Sequence, residues 1–268
     1  MIFAGGLAAG SQYRLVIIRN GDMQKKSSLG KWRKKLLGKK SKKPPRIFEP
    51  VSYDGNTDES GLRKAKILNA IGYAKMGEVS YSAYKYPGGY HTIEIDGEVF
   101  EGQRKPAERL AQIDYDFAGK TVLDIGCNQG GIVFETARVA RWAVGIDYDS
   151  RMINVCNLIR RQLKRDNTDF YVFDLDRDPF SLIVDFLPET RVNCIFLLSV
   201  CKWIDRWQEL ITFCAQISDC MVFETNGSAG QQQAQVDFLN RTYESVELVA
   251  DQSLDDSDQA NRMLFFCK

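Results

Sequence analysis

The chain has 268 residues, 44% apolar and 26% charged, with 36 bases against 35 acids. That balance suits a globular protein and excludes a chain disordered throughout. No apolar run approaches the ~18 residues of a membrane span. The charge is unevenly placed: Lys25 to Arg46 carry 11 of the bases and no acid, which leaves 25 bases against 35 acids elsewhere. Seven cysteines (127, 156, 194, 201, 214, 220 and 267) are dispersed without a C-x-x-C pair. They read as reduced, buried thiols and hence a cytoplasmic setting. One histidine and no cysteine pairs give no basis for a zinc site.

Residues 1–22 open with a brief apolar stretch that lacks the basic start of a secretory signal. Met23 is expected to be the natural start, with 1–22 as upstream or non-native sequence. Residues 23–61 form a basic arm and flexible linker. Leu29, Trp32 and Leu36 stand at helical spacing among the lysines of the arm. Read blandly, this is a solvated tail. Read functionally, Lys25 to Arg46 meet phosphates of RNA or of anionic lipid headgroups. The interleaved Trp and Leu lean toward a membrane surface, which would place the protein at the inner membrane face.

Residues 62–117 form a lead-in. Leu62, Ala65, Ile67, Leu68 and Ile71 are spaced as a helix over 62–75. GGYHTIEIDGEVFEG reads as a hairpin, with Ile93 and Ile95 alternating before the Asp96-Gly97 turn signal. Residues 104–113 read as a helix packed on the core.

Residues 118–268 form that core, and KTVLDIGCNQGG (120–131) is its centre. Thr121, Val122, Leu123 and Ile125 make a short β-prone run broken by Asp124, an acid that needs a partner when buried. Gly126, Gly130 and Gly131 allow a tight turn, or merely relieve crowding. RWAVGIDYD (141–149) gives a second strand ending at Asp147, about 20 residues on, where nucleotide-binding units hold ribose hydroxyls. Position 128 is Asn, so the G-x-G-x-x-G of a dinucleotide site is missing. A cofactor with a cationic amino-acid end and a ribose fits these acids better than a diphosphate.

VLDIGCNQG followed by VGIDYD resembles the first two motifs of class I S-adenosylmethionine-dependent methyltransferases. The resemblance implies S-adenosyl-L-methionine as cofactor. It puts Asp124, Gly126, Cys127, Asn128 and Gly130 at the methionine end, Asp147 at the ribose and Asp174 of FYVFDLD beside the adenine, with Asp176 as substitute. YHTIEIDGEVFEGQR is similar to bacterial tRNA wobble-uridine carboxymethyl transferases and their relatives through Tyr90, His91, Gly102 and Arg104. The Thr-Pro and the Tyr-His of that family are replaced by Phe100-Glu101 and Lys202-Trp203. LLSVCKW is similar to the bicoid-interacting RNA 5′-phosphate methyltransferases in its Leu-Ser and Lys-Trp.

The remaining pattern alternates as a doubly wound sheet should. Helices are expected over 152–164, 179–186, 203–215 and 231–240, and strands over 169–173, 192–198, 220–223, 245–250 and 263–267. The expected fold is α/β: a Rossmann-like, seven-stranded, mostly parallel sheet with its last strand antiparallel and an N-terminal helix and hairpin extension. The carboxyl edge would gather Asp124, Asp147, Asp174, Ser199 and Glu224. Ser199 is a cofactor-side candidate. Tyr90, Arg104, Lys202 and Trp203 are candidates for the acceptor, and His91 and Glu224 for a general base. Each has a plainer alternative: a backbone-bonded histidine, surface arginine and lysine, a loop acid, a tryptophan on the core face of the next helix. The expected activity is methyl transfer to an O or N of a phosphate-bearing acceptor, RNA ahead of a small metabolite or membrane-linked glycan. A non-catalytic cofactor-binding module is the reading from another class.

Overall fold

The computed structural model describes residues 50, 58–75, 86–253 and 261–268. Segment 1–22 and the basic stretch 25–46 lie outside the described residues, and with them the expectations about Met23 and about the arm. No helix among the described residues is long and apolar enough to cross a membrane.

The lead-in begins with α1 (Glu59–Lys75), whose buried Ile67 and Ile71 form the apolar stripe read from the sequence. Four short strands come next: β1 (Gly89–His91), β2 (Ile93–Ile95), β3 (Glu98–Phe100) and β4 (Gly102–Arg104). β2 and β3 are the expected hairpin, with Ile93 opposite Phe100 and Ile95 opposite Glu98. Asp96 and Gly97 have φ of 53° and 79°, the two positive values that a type I′ turn requires. β1 and β4 pair in parallel, setting His91 beside Arg104. Arg104 therefore belongs to a strand, which corrects the helix expected over 104–113. The helix there is α2 (Pro106–Leu110), starting where Pro106 supplies a preset φ at the first turn.

The core runs β5 (Thr121–Ile125), α3 (Gly131–Thr136), β6 (Trp142–Asp147), α4 (Ser150–Leu163), β7 (Thr168–Val172), a 3-10 helix (Phe180–Phe186), β8 (Val192–Leu198), a 3-10 turn (Cys201–Trp203), α5 (Trp207–Ile217), β9 (Ser218–Glu224), α6 (Ala229–Thr242), β10 (Val246–Ala250) and β11 (Leu264–Cys267). The seven strands lie in the order β10-β11-β9-β8-β5-β6-β7. β11 is antiparallel to both neighbours, and the pairs β9–β8, β8–β5, β5–β6 and β6–β7 are parallel. The expected architecture is present. One boundary moves: Trp203 ends the 3-10 turn and stays 42% exposed, so it does not open the core face of the next helix. The chain turns there because Asp176 Oδ1 accepts the Asp205 amide at 2.9 Å, and α5 starts only at Trp207.

β5 is buried along its whole length because both faces of the sheet are covered. Val122, Cys194 and Phe196 pack in one layer with Ile67 of α1, Val133 of α3 and Met152 of α4. Leu123, Ile125, Ile195 and Leu197 pack in the other with Leu210 of α5 and Leu239 of α6. Successive strand residues face opposite sides, so Asp124 turns toward the same layer as Val122. The chain leaves β5 for β6 and β7 on one side and returns to β8 and β9 on the other. This reversal between β5 and β8 opens a crevice at the carboxyl ends of the strands, where α/β sheets of this kind bind ligands.

Candidate active site

The turn after β5 is fastened to β6: the amides of Gly126 and Cys127 both donate to the Ile146 carbonyl, at 2.8 and 3.0 Å. Gly126, Asn128 and Gly130 have φ of 82°, 48° and 74°. A Cβ on Gly126 would lie 2.6 Å from Val200 Cγ2, and one on Gly130 2.6 Å from the Phe170 ring. These glycines are demanded by backbone conformation and by packing against the protein. The cofactor argument therefore rests on the acids. Gly130→Ala should cost about 2–5 kcal/mol, combining left-handed strain with overpacking; urea denaturation would measure it.

Asp147 ends β6 and holds the turn. Its Oδ2 accepts the Asn128 amide and its Oδ1 the Asp149 amide, each at 2.9 Å. Burial pushes its carboxyl up to about 6, against the pull of those two donors. Asp124 is pushed up to about 8, first by burial and then by the Asp147 charge, while Arg109 opposes the shift. Asn128 Oδ1 is buried with no hydrogen-bond partner. The crevice thus presents acceptors: two carboxylates and an unsatisfied amide oxygen. Such a set takes ammonium, sulfonium and hydroxyl groups and repels a diphosphate.

Cys127 lies in the turn, where the sequence put it. Its free thiol is buried against Gly145, 3.9 Å from the Asn128 carbonyl that also accepts the Cys156 thiol at 3.2 Å. Asp174 spends its carboxylate on its own loop, Oδ1 accepting the Asp176 amide at 3.0 Å and Oδ2 lying 3.4 Å from Arg177. Tyr148, directly after Asp147, is 49% exposed and gives the same edge an aromatic face.

Across the crevice, Glu224 at the end of β9 is buried and ion-paired with Arg109, and its other oxygen accepts from Ser199 Oγ. Arg262 Nη1 donates to Ser199 Oγ at 2.9 Å and lies 3.8 Å from Glu224. Arg104 Nη1 donates to Ser253 Oγ at 2.6 Å, and Arg109 reaches the same hydroxyl at 3.5 Å. All three guanidiniums are buried. Ser199, with φ of 60°, bends out of β8 to join them. Glu224, a general-base candidate, is held in this arrangement by its pair with Arg109. His91, the other candidate, accepts the Gly131 amide at Nδ1, at 3.1 Å.

Lys202 and Trp203 stand at the exposed rim, the ammonium 4.9 Å over the indole. Asn226, buried after β9, fixes that rim by accepting the Lys202 amide at 2.8 Å and donating to the Ser199 carbonyl. Tyr90 is half-buried, 6.0 Å below the Arg104 guanidinium. Arg109, Arg262, Ser253, Gln129 and Tyr148 had drawn no notice in the sequence, whereas Asn226 had been placed with Glu224 at the acceptor-side end of its strand. Of the former, only Tyr148, adjacent to the second acid, carried a local signal.

Residues 116–201, from just before β5 to just after β8, match the family model described as a methyltransferase domain. The chain carries a methyltransferase domain. By its sheet order it is of the class I fold. Solved structures share that fold. The N-terminal domain of EvdMO1, crystallised with S-adenosylhomocysteine bound, matches 66% of this chain and 90% of its own at 12% identity and a TM-score of 0.53. The bifunctional kinase-methyltransferase WbdD matches 67% of this chain at 20% identity and a TM-score of 0.51. The methyltransferase chain spans less than half of WbdD, 43%. No curated protein matches the sequence. Asp124, Asp147 and the partnerless Asn128 Oδ1 are acceptors suited to a ligand that carries ammonium and hydroxyl groups.

Proposed function

We propose that this methyltransferase moves the methyl group to an oxygen or nitrogen of a phosphate-bearing acceptor, with RNA ahead of a small phosphorylated metabolite. One observation carries the reading: Arg104, Arg109 and Arg262 converge, buried, at the carboxyl edge of the sheet, near enough to Asp124 for Arg109 to oppose its shift. Guanidiniums suit planar, bidentate recognition of phosphate better than any other side chain. Lys202 and Trp203 at the rim would add a point charge and a stacking face for a nucleotide.

Bound S-adenosylmethionine supplies a methyl carbon already activated by positive sulfur. The protein's part is alignment. Asp124 and Asp147 orient the cofactor end, and the arginines hold the acceptor in line with it. With Glu224 ion-paired and His91 Nδ1 engaged by Gly131, the residues favour an acceptor atom that arrives deprotonated, as a phosphate oxygen does.

Tritiated methyl transfer into a cell extract, fractionated into RNA, lipid and small molecules, tests this. Label is expected mainly in RNA and should fall at least about tenfold when the extract is first treated with phosphatase, because charge-assisted contacts of about 1.5–3 kcal/mol each are lost. Undiminished labelling after phosphatase would reject a terminal phosphomonoester, the group that treatment removes. Label in the small-molecule fraction would reject RNA and keep the phosphate.

A further inference from the structure

We propose that Gln129 is a positioning residue that ties strands β1 and β4 to the cofactor turn, so that filling the cofactor site tightens the wall bearing Tyr90 and Arg104. Gln129 lies in the middle of the turn and has no solvent exposure. Its side chain reaches out of the core domain into the lead-in. Oε1 accepts the amides of Tyr90 and of His91, the latter at 3.1 Å, and Nε2 donates to the Gly88 carbonyl at 2.9 Å. Two donors face the oxygen and one acceptor faces the nitrogen, so the carboxamide has a single satisfying orientation.

The lead-in answers in kind. His91 Nδ1 accepts the Gly131 amide at 3.1 Å, which puts the imidazole proton on Nε2. Four hydrogen bonds therefore cross between residues 88–91 and the turn, three of them through one side chain. Glycines on both sides make the approach close. A Cβ on Gly89 would fall 2.6 Å from Gln129 Oε1, and one on Gly131 2.6 Å from the His91 ring. Gln129 also comes directly after Asn128, whose amide is held by Asp147. A ligand on Asp147 and Asn128 thus acts one peptide from the clamp, and β1 passes the constraint to Arg104 through the His91–Arg104 pairing. Calling β1 and β4 the acceptor side rests on the proposed function. The coupling itself does not.

The test uses the full chain with S-adenosylhomocysteine as probe, saturation being set by calorimetry on the same sample. Hydrogen exchange is followed at the Tyr90 and His91 amides, together with the ¹⁵N signals of the chain's single histidine side chain. At about 100 times Kd, ligand linkage allows up to ~100-fold protection of any opening that excludes the ligand. In the wild type, exchange of both amides should slow at least about tenfold and the His91 signals should shift. Gln129→Leu should bind the probe yet lose that added protection. Gln129→Glu, which keeps the accepting oxygen, should retain most of it and serves if the leucine variant fails to fold. Equal exchange with and without ligand in the wild type would overturn the coupling, as would full protection in a folded Gln129→Leu. Absence of calorimetric binding would overturn the coupling and the cofactor reading together, whereas phosphatase-insensitive labelling would touch only the acceptor.

Discussion

Asp124→Asn is expected to weaken S-adenosylhomocysteine binding by about 10- to 100-fold and to raise the melting temperature of the ligand-free protein at pH 8. The first effect comes from losing a charge-assisted contact to an ammonium, about 1.5–3 kcal/mol. The second comes from the Asp124 environment: buried beside Asp147, its carboxyl is pushed up to about 8 from an ordinary 3.8. Between those two pH values the folded protein holds a proton that the unfolded chain has released, so the Asp124 contribution to stability falls as pH rises through that window. At pH 8 the penalty is on the order of a few kcal/mol. The amide does not ionise and escapes it. Scanning fluorimetry should therefore show the variant's advantage growing from pH 5 to pH 8. A variant less stable than wild type at pH 8, with an unchanged gap at pH 5, would contradict the burial argument.

Arg109→Leu should be the most destabilising change at the acceptor edge. It leaves Glu224, 2% exposed, without its main ion partner. Removing one member of a buried pair typically costs about 3–5 kcal/mol, because the remaining charge is stranded out of water. Arg262 lies 3.8 Å from Glu224 and Ser199 still donates to it, so the lower half of that range applies. For a chain of this size that is a fall of roughly 6–12 °C in melting temperature. The double variant Arg109→Leu/Glu224→Leu should recover most of it, since removing both partners removes the stranded charge. Its failure to recover any stability would show that Arg109 works mainly by packing.

Much of this was legible in the sequence where the cause was local. β5, β8 and β9 announce themselves as short, nearly unbroken apolar runs because both faces of a parallel strand are covered. Asp124 and Asp147 stand out because each interrupts or ends such a run. The Asp96-Gly97 hairpin is written in two residues. The acceptor edge was not legible, because its contacts join distant stretches: Arg109 meets Glu224 across 115 positions and Arg104 meets Ser253 across 149. No periodicity encodes that. Arg104 was read as helical because three-residue strands are too short to show alternation, and the parallel partner of β4 is a strand of equal brevity. Glu224 read as a candidate base or a loop acid, with no sign of its ion partner, for the same reason that Arg109 looked like an ordinary helix residue.

The glycines carry a further lesson. Gly126, Gly130 and Gly131 drew attention as a ligand-binding turn, yet the atoms that forbid a side chain there belong to Val200, Phe170, His91 and Pro106. The turn is shaped by its packing. What it offers a ligand is acidity, held in place by that packing.

The central claim is that Asp124 and Asp147 together receive a cationic nucleoside, and its pH dependence tests it most directly. S-adenosylhomocysteine affinity, measured by calorimetry on the full chain, should weaken at least about tenfold between pH 8.5 and pH 6.5, because a site that gains a proton near pH 8 must release it to bind an ammonium. A further loss is expected below pH 6 as Asp147 takes up its proton. The same affinity at pH 8.5, 6.5 and 5.5 would contradict the claim.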